Sequence, residues 1–229
     1  MTANIRRYYF IKNFPKNYPW YKKIVANIIF FITGTIIHPR KNLLTNEDIK
    51  QAKKIIKRGD IILLGNLRTA LSEIINDPLT HSSIYMGGRK IIHAMGAEGV
   101  QYASYHSTFT NYDTVAVVRI PEKKRNRKEI IKKVIKYAKN QLKKPYDFEF
   151  KKGEKKFFCT KLVNNCFTDV GYDTGLSSIK KSKSKNFFSR AKNALRPIDF
   201  IKGNFETVFL SHNLKLKNKK LTFIKKKFK

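Results

Sequence analysis

The most informative segment of the sequence is Phe157-Phe158-Cys159-Thr160-Lys161-Leu162-Val163. It places a cysteine where a helix is expected to begin. The residues from 161 to 170 have the pattern of an amphipathic helix. A thiol at a helix start gains from the helix dipole and from backbone N–H groups that have no partner within the helix. The stretch therefore predicts that Cys159 is a nucleophile and that the chain is a cysteine–histidine hydrolase or acyltransferase.

A cysteine nucleophile requires a base within hydrogen-bond reach, and the base must be oriented by a third group. His81 lies upstream in the segment Thr-His-Ser-Ser-Ile-Tyr-Met-Gly-Gly, residues 80–88. His81 and His93 flank a hairpin turn at Gly87-Gly88 and can face the same side of adjacent strands, where His93 would hold the His81 ring through its second nitrogen. The competing interpretation is that His93 is a half-buried structural histidine.

Composition limits the architecture to one main domain with one sizeable core, since the chain has 229 residues and a mass of 26.8 kDa. The formal net charge is +33, from 49 Lys and Arg against 16 Asp and Glu. Such a charge predicts attraction to a polyanion such as anionic lipid, nucleic acid or an acidic glycan. An AT-rich genome also enriches lysine without selection for a ligand, and this second interpretation stays open.

The two cysteines, Cys159 and Cys166, cannot form a disulfide on one helix, because a spacing of seven residues separates them by about 10 Å on the same face. Two cysteines also cannot form a four-thiolate zinc site. Cys166 lies in the apolar part of the helix, where a buried and inert thiol is expected. The sequence predicts no metal and no cofactor.

An uncharged apolar run of 14 residues, 24–37, follows a basic and aromatic leader. A helix needs about 20 residues to span a bilayer, so the run is too short for that. It fits the apolar part of a signal sequence, a segment in the membrane interface with Trp20 and Tyr21 at the headgroups, or a helix packed on the core. We expect association with a membrane or the cell envelope rather than a cytoplasmic location.

The remaining pattern predicts short strands and amphipathic helices within a domain at 45–211, between an N-terminal segment at 1–44 and a basic tail at 212–229. The tail is expected to be a surface arm or disordered, and the basic Ser-rich segment 177–192 an exposed loop. Helices are expected at 47–56, after a cap at 45–48, and at 130–142; strands are expected at 61–65, 81–86, 90–94, 114–120 and 205–210.

Several motifs together resemble the circularly permuted NlpC/P60 papain-like hydrolases, in the YiiX/YebB-like branch, with the lecithin:retinol acyltransferase-like proteins as cousins. The first half contains Gly-Asp-Ile-Ile-Leu at 59–63, the histidine segment at 80–87 and Ile-Ile-His-Ala at 91–94. The second half contains Lys-Pro-Tyr-Asp-Phe at 144–148, Phe-Cys-Thr-Lys-Leu-Val at 158–163 and Arg-Pro-Ile-Asp-Phe at 196–200. The order, with the histidine half before the cysteine half, is that of the permuted family.

The resemblance implies an α+β papain-like fold in which a small antiparallel sheet or barrel packs against helices. It implies that Cys159 is the nucleophile, that His81 is the general base, and that His93 occupies the place of the third polar residue. Many YiiX-like members carry glutamate at that place, whereas the acyltransferase cousins carry histidine. Lys161 departs from the glutamate that often follows the cysteine in the family, and Tyr146 is a candidate to line the cleft.

The expected reaction is hydrolysis of an amide or ester bond through a thioester, or transfer of the acyl group. The resemblance implies a lipid-linked acyl substrate or a cell-wall peptide as the partner, and the charge implies an anionic membrane surface. The alternative is a non-catalytic basic protein that binds anionic lipid or nucleic acid on the same scaffold. Nucleic acid is the less favoured partner, because the sequence contains no helix-turn-helix, zinc-finger or RNA-binding signature.

Overall fold

The computed structural model of the protein describes residues 10–38, 41–150, 153–176 and 193–224. The segment 177–192, expected to be an exposed loop, lies outside the described residues. The helices are α1 (Trp20–Gly34), α2 (Asn46–Ile55), α3 (Ala70–Ile75), α4 (Tyr105–Phe109), α5 (Arg127–Asn140), α6 (Cys159–Thr168) and α7 (Asp199–Lys202). The strands are β1 (Ile61–Gly65), β2 (His81–Gly87), β3 (Lys90–Met95), β4 (Gly99–Ser104), β5 (Thr114–Arg119), β6 (Glu206–Leu210), β7 (Leu214–Lys217) and β8 (Lys220–Phe223).

A six-stranded antiparallel sheet with the order β4-β3-β2-β1-β5-β6 forms the centre of the fold. β1 is central and all five of its residues are buried, as expected for an apolar run covered on both faces. Helices packed against the sheet make the fold class α+β, as the sequence predicts.

Each face of the sheet carries its own hydrophobic cluster. Ile61 and Leu63 of β1 belong to the first cluster, which α5 and α6 cover with Val134 and Leu162. Ile62 and Leu64 alternate to the other face and join the second cluster, which includes residues of α2 and α4. The alternation along β1 and β2 therefore decides which side chains can meet the start of α6.

The predicted cap of α2 is confirmed as a capping box. The Thr45 hydroxyl accepts a hydrogen bond from the Asp48 N–H at 3.1 Å, and the Asp48 carboxylate accepts one from the Thr45 N–H at 2.9 Å. The same carboxylate accepts a hydrogen bond of 2.8 Å from the His212 N–H, and the His212 ring nitrogen Nδ1 lies 2.6 Å from it. The cap thus fastens the C-terminal segment to α2.

Several elements were not expected from the sequence: the short helices α4 and α7, strand β4 and the hairpin β7–β8. β4 was not expected, and it pairs with β3 at the edge of the sheet, with Ala94 opposite Val100. The segment expected to be a surface arm or disordered contains the hairpin β7–β8, whose Leu214 and Leu221 are buried in the first cluster. Burial of alternate leucines orders this hairpin despite its many lysines.

The apolar run at 24–37 lies largely in α1, which begins after Pro19 and ends at Gly34. Within the described residues, no helix is long and apolar enough to cross a membrane.

Candidate active site

Cys159 is the first residue of α6, as expected from the sequence, and its side chain is 9% exposed. The residue before it, Phe158, is in extended conformation and makes no side-chain cap to the helix. The N–H groups of the first turn are consequently left for another acceptor, which is the arrangement that a developing oxyanion requires.

The thiol does not gain a lowered pKa from this position, contrary to the expectation from a helix start. Burial raises the pKa of Cys159, and this effect outweighs the opposing effects of the Ser82 amide and hydroxyl and of the Thr160 amide. The Ser82 amide and hydroxyl lie close enough to favour the thiolate, although the hydroxyl oxygen makes no full hydrogen bond within the described residues. The resting nucleophile is therefore a neutral thiol beside Ser82.

His81 and His93 meet as the sequence predicts. Nε2 of His81 lies 3.1 Å from Nδ1 of His93, and both rings are buried. Burial, and secondarily the neighbouring His93, lower the pKa of His81 well below 6.5; burial lowers the pKa of His93 to about 4. The two imidazoles are therefore both neutral at pH 7.

The histidine pair and the thiol approach the start of β2 from the two faces of the sheet. Ser82 is paired with Leu63 of the first cluster, on the face that α6 covers. His81 is paired with Leu64 of the second cluster, and its ring stacks on Tyr112 with the ring centroids 6.1 Å apart. Within the described residues, no hydrogen bond joins Cys159 to His81, so the structure brings the two histidines together and places the thiol against Ser82, the next residue of the strand.

The free nitrogen of His81 is Nδ1, the one nearer the backbone. Within the described part of the chain, the only hydrogen bond of the ring is the one between Nε2 and His93. When His81 donates its Nε2–H to His93, Nδ1 carries the lone pair that accepts a proton. In that tautomer His93 holds its proton on Nε2, which is buried and has no partner among the described residues.

The order of these elements, with the histidine strand before the cysteine helix, agrees with the comparison with protein families. Residues 55–215 match the sequence profile of the permuted papain-like amidase enzymes of the YaeF/YiiX type, the C92 family. The chain belongs to this family. Membership indicates a hydrolytic enzyme of the cysteine amidase class.

One solved structure similar to this chain is the crystal structure of the metalloprotein YiiX from Escherichia coli O157:H7. The TM-score is 0.54 at 21% identity, over 68% of this chain and 97% of the YiiX chain, which establishes likeness of fold. The described residues of this chain contain no group of three or more His, Cys, Asp or Glu side chains that could hold a metal ion. No curated protein sequence matches the chain.

Tyr146 is brought to the thiol by the segment that precedes α6. Residue 146 forms an isolated parallel bridge with Phe157, supported by a hydrogen bond of 3.1 Å from the Asp147 N–H to the Phe157 carbonyl. Burial raises the pKa of the Tyr146 phenol well above 10, and the negative charge of Asp147, or of Cys159 when it is ionised, raises it further. Tyr146 is thus a neutral O–H donor near Cys159.

Two features of the site had no clear signal in the sequence. The first is Ser82. Nothing in the sequence distinguishes it from other polar strand residues, and only the strand register shows that it lies beside the thiol. The second is the ion pair of 2.8 Å between Lys161 Nζ and the Asp147 carboxylate, in which both side chains are buried. Lys161 also lies over the Phe157 ring, 5.6 Å from its centroid. The ion pair fixes the first turn of α6 to the segment that carries Tyr146.

Proposed function

We propose that the protein cleaves an amide bond with Cys159 as nucleophile, His81 as general base and His93 as the residue that positions His81. One observation carries the proposal: the bond between the two histidines leaves Nδ1 of His81 unbonded at the strand start, where the next residue, Ser82, lies beside the thiol. The proposal requires the His81 ring, which lies towards the other face at the strand start, to turn to the thiol in the substrate complex; hydrogen bonds of a catalytic pair are often unformed in the resting enzyme.

The first half of the reaction forms a thioester. The Cys159 sulfur attacks the acyl carbonyl carbon while its proton passes to Nδ1 of His81, and the carbonyl oxygen takes the electron pair. The N–H of Cys159 and the Tyr146 hydroxyl are the donors for that oxyanion. The carbon–nitrogen bond then breaks, and His81 returns the proton to the leaving amine.

The proton could move from Cys159 to His81 before the attack or during it. The neutral state of both groups at rest favours transfer during the attack. Since burial raises the pKa of the thiol and lowers that of His81, a preformed thiolate–imidazolium pair is disfavoured. His81 therefore acts as a general base during attack, and His93 holds the His81 ring in the orientation and tautomer that leave Nδ1 to receive the proton.

The second half resolves the thioester. Water attacks the carbonyl carbon as His81 takes its proton, and release of the carboxylic acid regenerates the thiol. An amine or alcohol in place of water gives acyl transfer, and an ester substrate gives the same intermediate. The substrate class proposed is an N-acyl amide, lipid-linked or peptidic.

The intermediate provides the test. The full-length protein is incubated with an activated N-acyl amide, quenched in acid and digested, and the peptide with Cys159 is examined by mass spectrometry for an acyl adduct that hydroxylamine removes. We expect the adduct in the parent and in Cys166→Ala, which removes the other thiol of the same helix, and none in Cys159→Ala. His81→Asn should slow acylation by roughly 10²-fold or more.

Equal acylation of both cysteines, or full amide cleavage by Cys159→Ala, would overturn the assignment of the nucleophile. Normal acylation in His81→Asn would overturn the assignment of the base.

The second candidate function is binding of a polyanion on an unused catalytic scaffold, which the net charge of +33 favours. This function predicts an affinity that falls steeply with salt and is the same for the parent and Cys159→Ala. Formation of the thioester would exclude it as the sole function.

A further inference from the structure

One side of α1 is a continuous apolar surface whose side chains are more than half exposed to solvent. Its members are between 51% and 73% exposed: Trp20, Tyr21, Ile24, Val25, Ile28, Phe31 and Ile32. At 3.6 residues per turn they fall within an arc of roughly 140°, with Ile28 near the middle. We call these seven residues the apolar face of α1.

The opposite side of α1 is attached to the rest of the protein, so the direction of the apolar face is fixed. Ala26 is buried, and the Asn27 side chain accepts a hydrogen bond of 2.7 Å from the Ile11 N–H. At the end of the helix, the Ile37 N–H donates to the Arg68 carbonyl at 2.8 Å. The apolar face therefore points away from a folded support.

The charged residues of α1 itself are both positive. Lys22 and Lys23 lie at its two edges when the residues are placed at helical spacing. The chain before Glu47 contains eight Lys and Arg residues and no acidic residue. Lys22 pairs with Glu149 at 3.0 Å while its side chain stays 38% exposed.

We propose that the apolar face of α1 is the surface on which the protein docks to an anionic lipid bilayer. Apolar side chains in the centre, lysines at the edges, and tryptophan and tyrosine at the helix start are the composition of a helix that lies in the membrane interface. The excess of basic residues matches the negative potential of anionic lipid headgroups.

Contacts through aromatic side chains connect this surface to the catalytic site. The Phe30 ring, on the supported side of α1, lies so close to the Gly96 backbone that a Cβ there would be 2.6 Å from it, and Phe148 lies against the same glycine. The Phe148 and Tyr146 rings are 4.8 Å apart, and Tyr146 neighbours Cys159. Docking would thus separate the thiol from the lipid by α1 and by the layer of aromatic rings that follows it. A substrate with a bilayer-embedded acyl chain fits that position.

The test is flotation of the full-length protein with phosphatidylcholine vesicles that contain phosphatidylserine, compared with phosphatidylcholine alone. The decisive variant is Ile28→Glu. Its matched control is Ile224→Glu, the same substitution at another exposed isoleucine, 41% exposed, which changes the net charge equally. We expect the parent and Ile224→Glu to float with the anionic vesicles, and the affinity of Ile28→Glu to fall roughly tenfold or more.

Failure of the parent to bind the anionic vesicles, or equal binding by the two variants, would overturn the proposal. Light scattering that shows a dimer, converted to monomer by Ile28→Glu and indifferent to lipid, would assign the face to a second copy instead. Thioester formation from a soluble amide should be unchanged in Ile28→Glu, so that loss of docking is separated from failure of the catalytic assignment.

Discussion

At the residue scale, burial dominates the chemistry of the site. It raises the pKa of Cys159 and lowers those of His81 and His93, so each group is driven to its neutral form. A helix start alone would have favoured a thiolate. The proton must therefore move during attack, and the group that orients His81 decides which nitrogen receives it.

His93→Glu tests that orientation. A carboxylate beside Nε2 of His81 accepts its proton firmly and favours the imidazolium, so the pKa of His81 should rise. Because activity needs neutral His81, the acidic limb of the kcat/KM profile should move to higher pH. His93→Gln, which lacks the charge, should lower kcat/KM without that shift. If His93→Glu kept the kcat/KM of the parent and the acidic limb of the profile did not move, His93 would not position His81.

The buried ion pair between Lys161 and Asp147 leads to a prediction about stability. Lys161→Met leaves the Asp147 carboxylate buried without its ammonium partner, which typically costs about 3–5 kcal/mol. Urea unfolding should show this loss in the free energy of unfolding. The double variant Lys161→Met/Asp147→Asn removes the uncompensated charge and should recover part of it. A loss below about 1 kcal/mol in the single variant would mean that water already screens the pair.

At the scale of elements, β1 ends in Gly65, where the neighbouring atoms leave no room for a Cβ. A Cβ on Gly65 would lie 1.9 Å from the Pro78 carbonyl oxygen and 2.2 Å from the Thr114 hydroxyl oxygen. These atoms belong to the chain before β2 and to β5, which are the neighbours of β1 in the sheet. The close approach positions the start of β2 and hence His81 and Ser82.

Gly65→Ala should force the two neighbouring segments apart and destabilise the protein by about 3 kcal/mol or more. The matched control is Gly34→Ala at the end of α1, where a Cβ meets nothing within 4 Å. Thermal unfolding of the control should be equal to or slightly higher than that of the parent. Equal midpoints for both variants would show that the sheet relaxes around the extra methyl group.

At the scale of the whole molecule, the buried histidines make folding sensitive to acid. The unfolded chain binds protons at His81 and His93 near pH 6.5, whereas burial lowers the pKa of His93 to about 4 and that of His81 well below 6.5. Stability is thus fully present above pH 6.5 and falls as the pH drops towards 4, since only the unfolded state takes up the protons.

The expected loss from His93 alone is about 3 kcal/mol between pH 6.5 and pH 4. Denaturant titrations at a series of pH values should show this slope, and His93→Gln should reduce it. A free energy of unfolding that stays constant down to pH 4.5 in the parent would contradict the burial of neutral imidazoles.

Much of the fold could be predicted because its signals are local. The run 61–65 is apolar throughout and bounded by turn residues, the cap at 45–48 contains its own donors and acceptors, and Cys159 stands at the start of an amphipathic pattern. β4 and the hairpin β7–β8 have weaker local signals, because an edge strand and a lysine-rich hairpin gain stability from pairing and from buried leucines. The family resemblance, confirmed by the match over residues 55–215, supplied the order of the two halves.

Side-chain type and local spacing in the sequence account for the elements with local signals and for the choice of Cys159, His81 and His93, whereas the fold class follows from the family resemblance of the motifs in both halves of the chain. The surroundings of Cys159 depend on how the strands pair and pack, which the sequence does not show directly. The register of β2 on β1 turns Ser82 towards the thiol and His81 towards Tyr112, and a shift of one residue would exchange them. Burial then sets the protonation of all three groups, because desolvation depends on the atoms that surround a group and not on its neighbours in sequence. The stretch from Phe157 to Val163 placed the cysteine at a helix start, and packing made its thiol neutral.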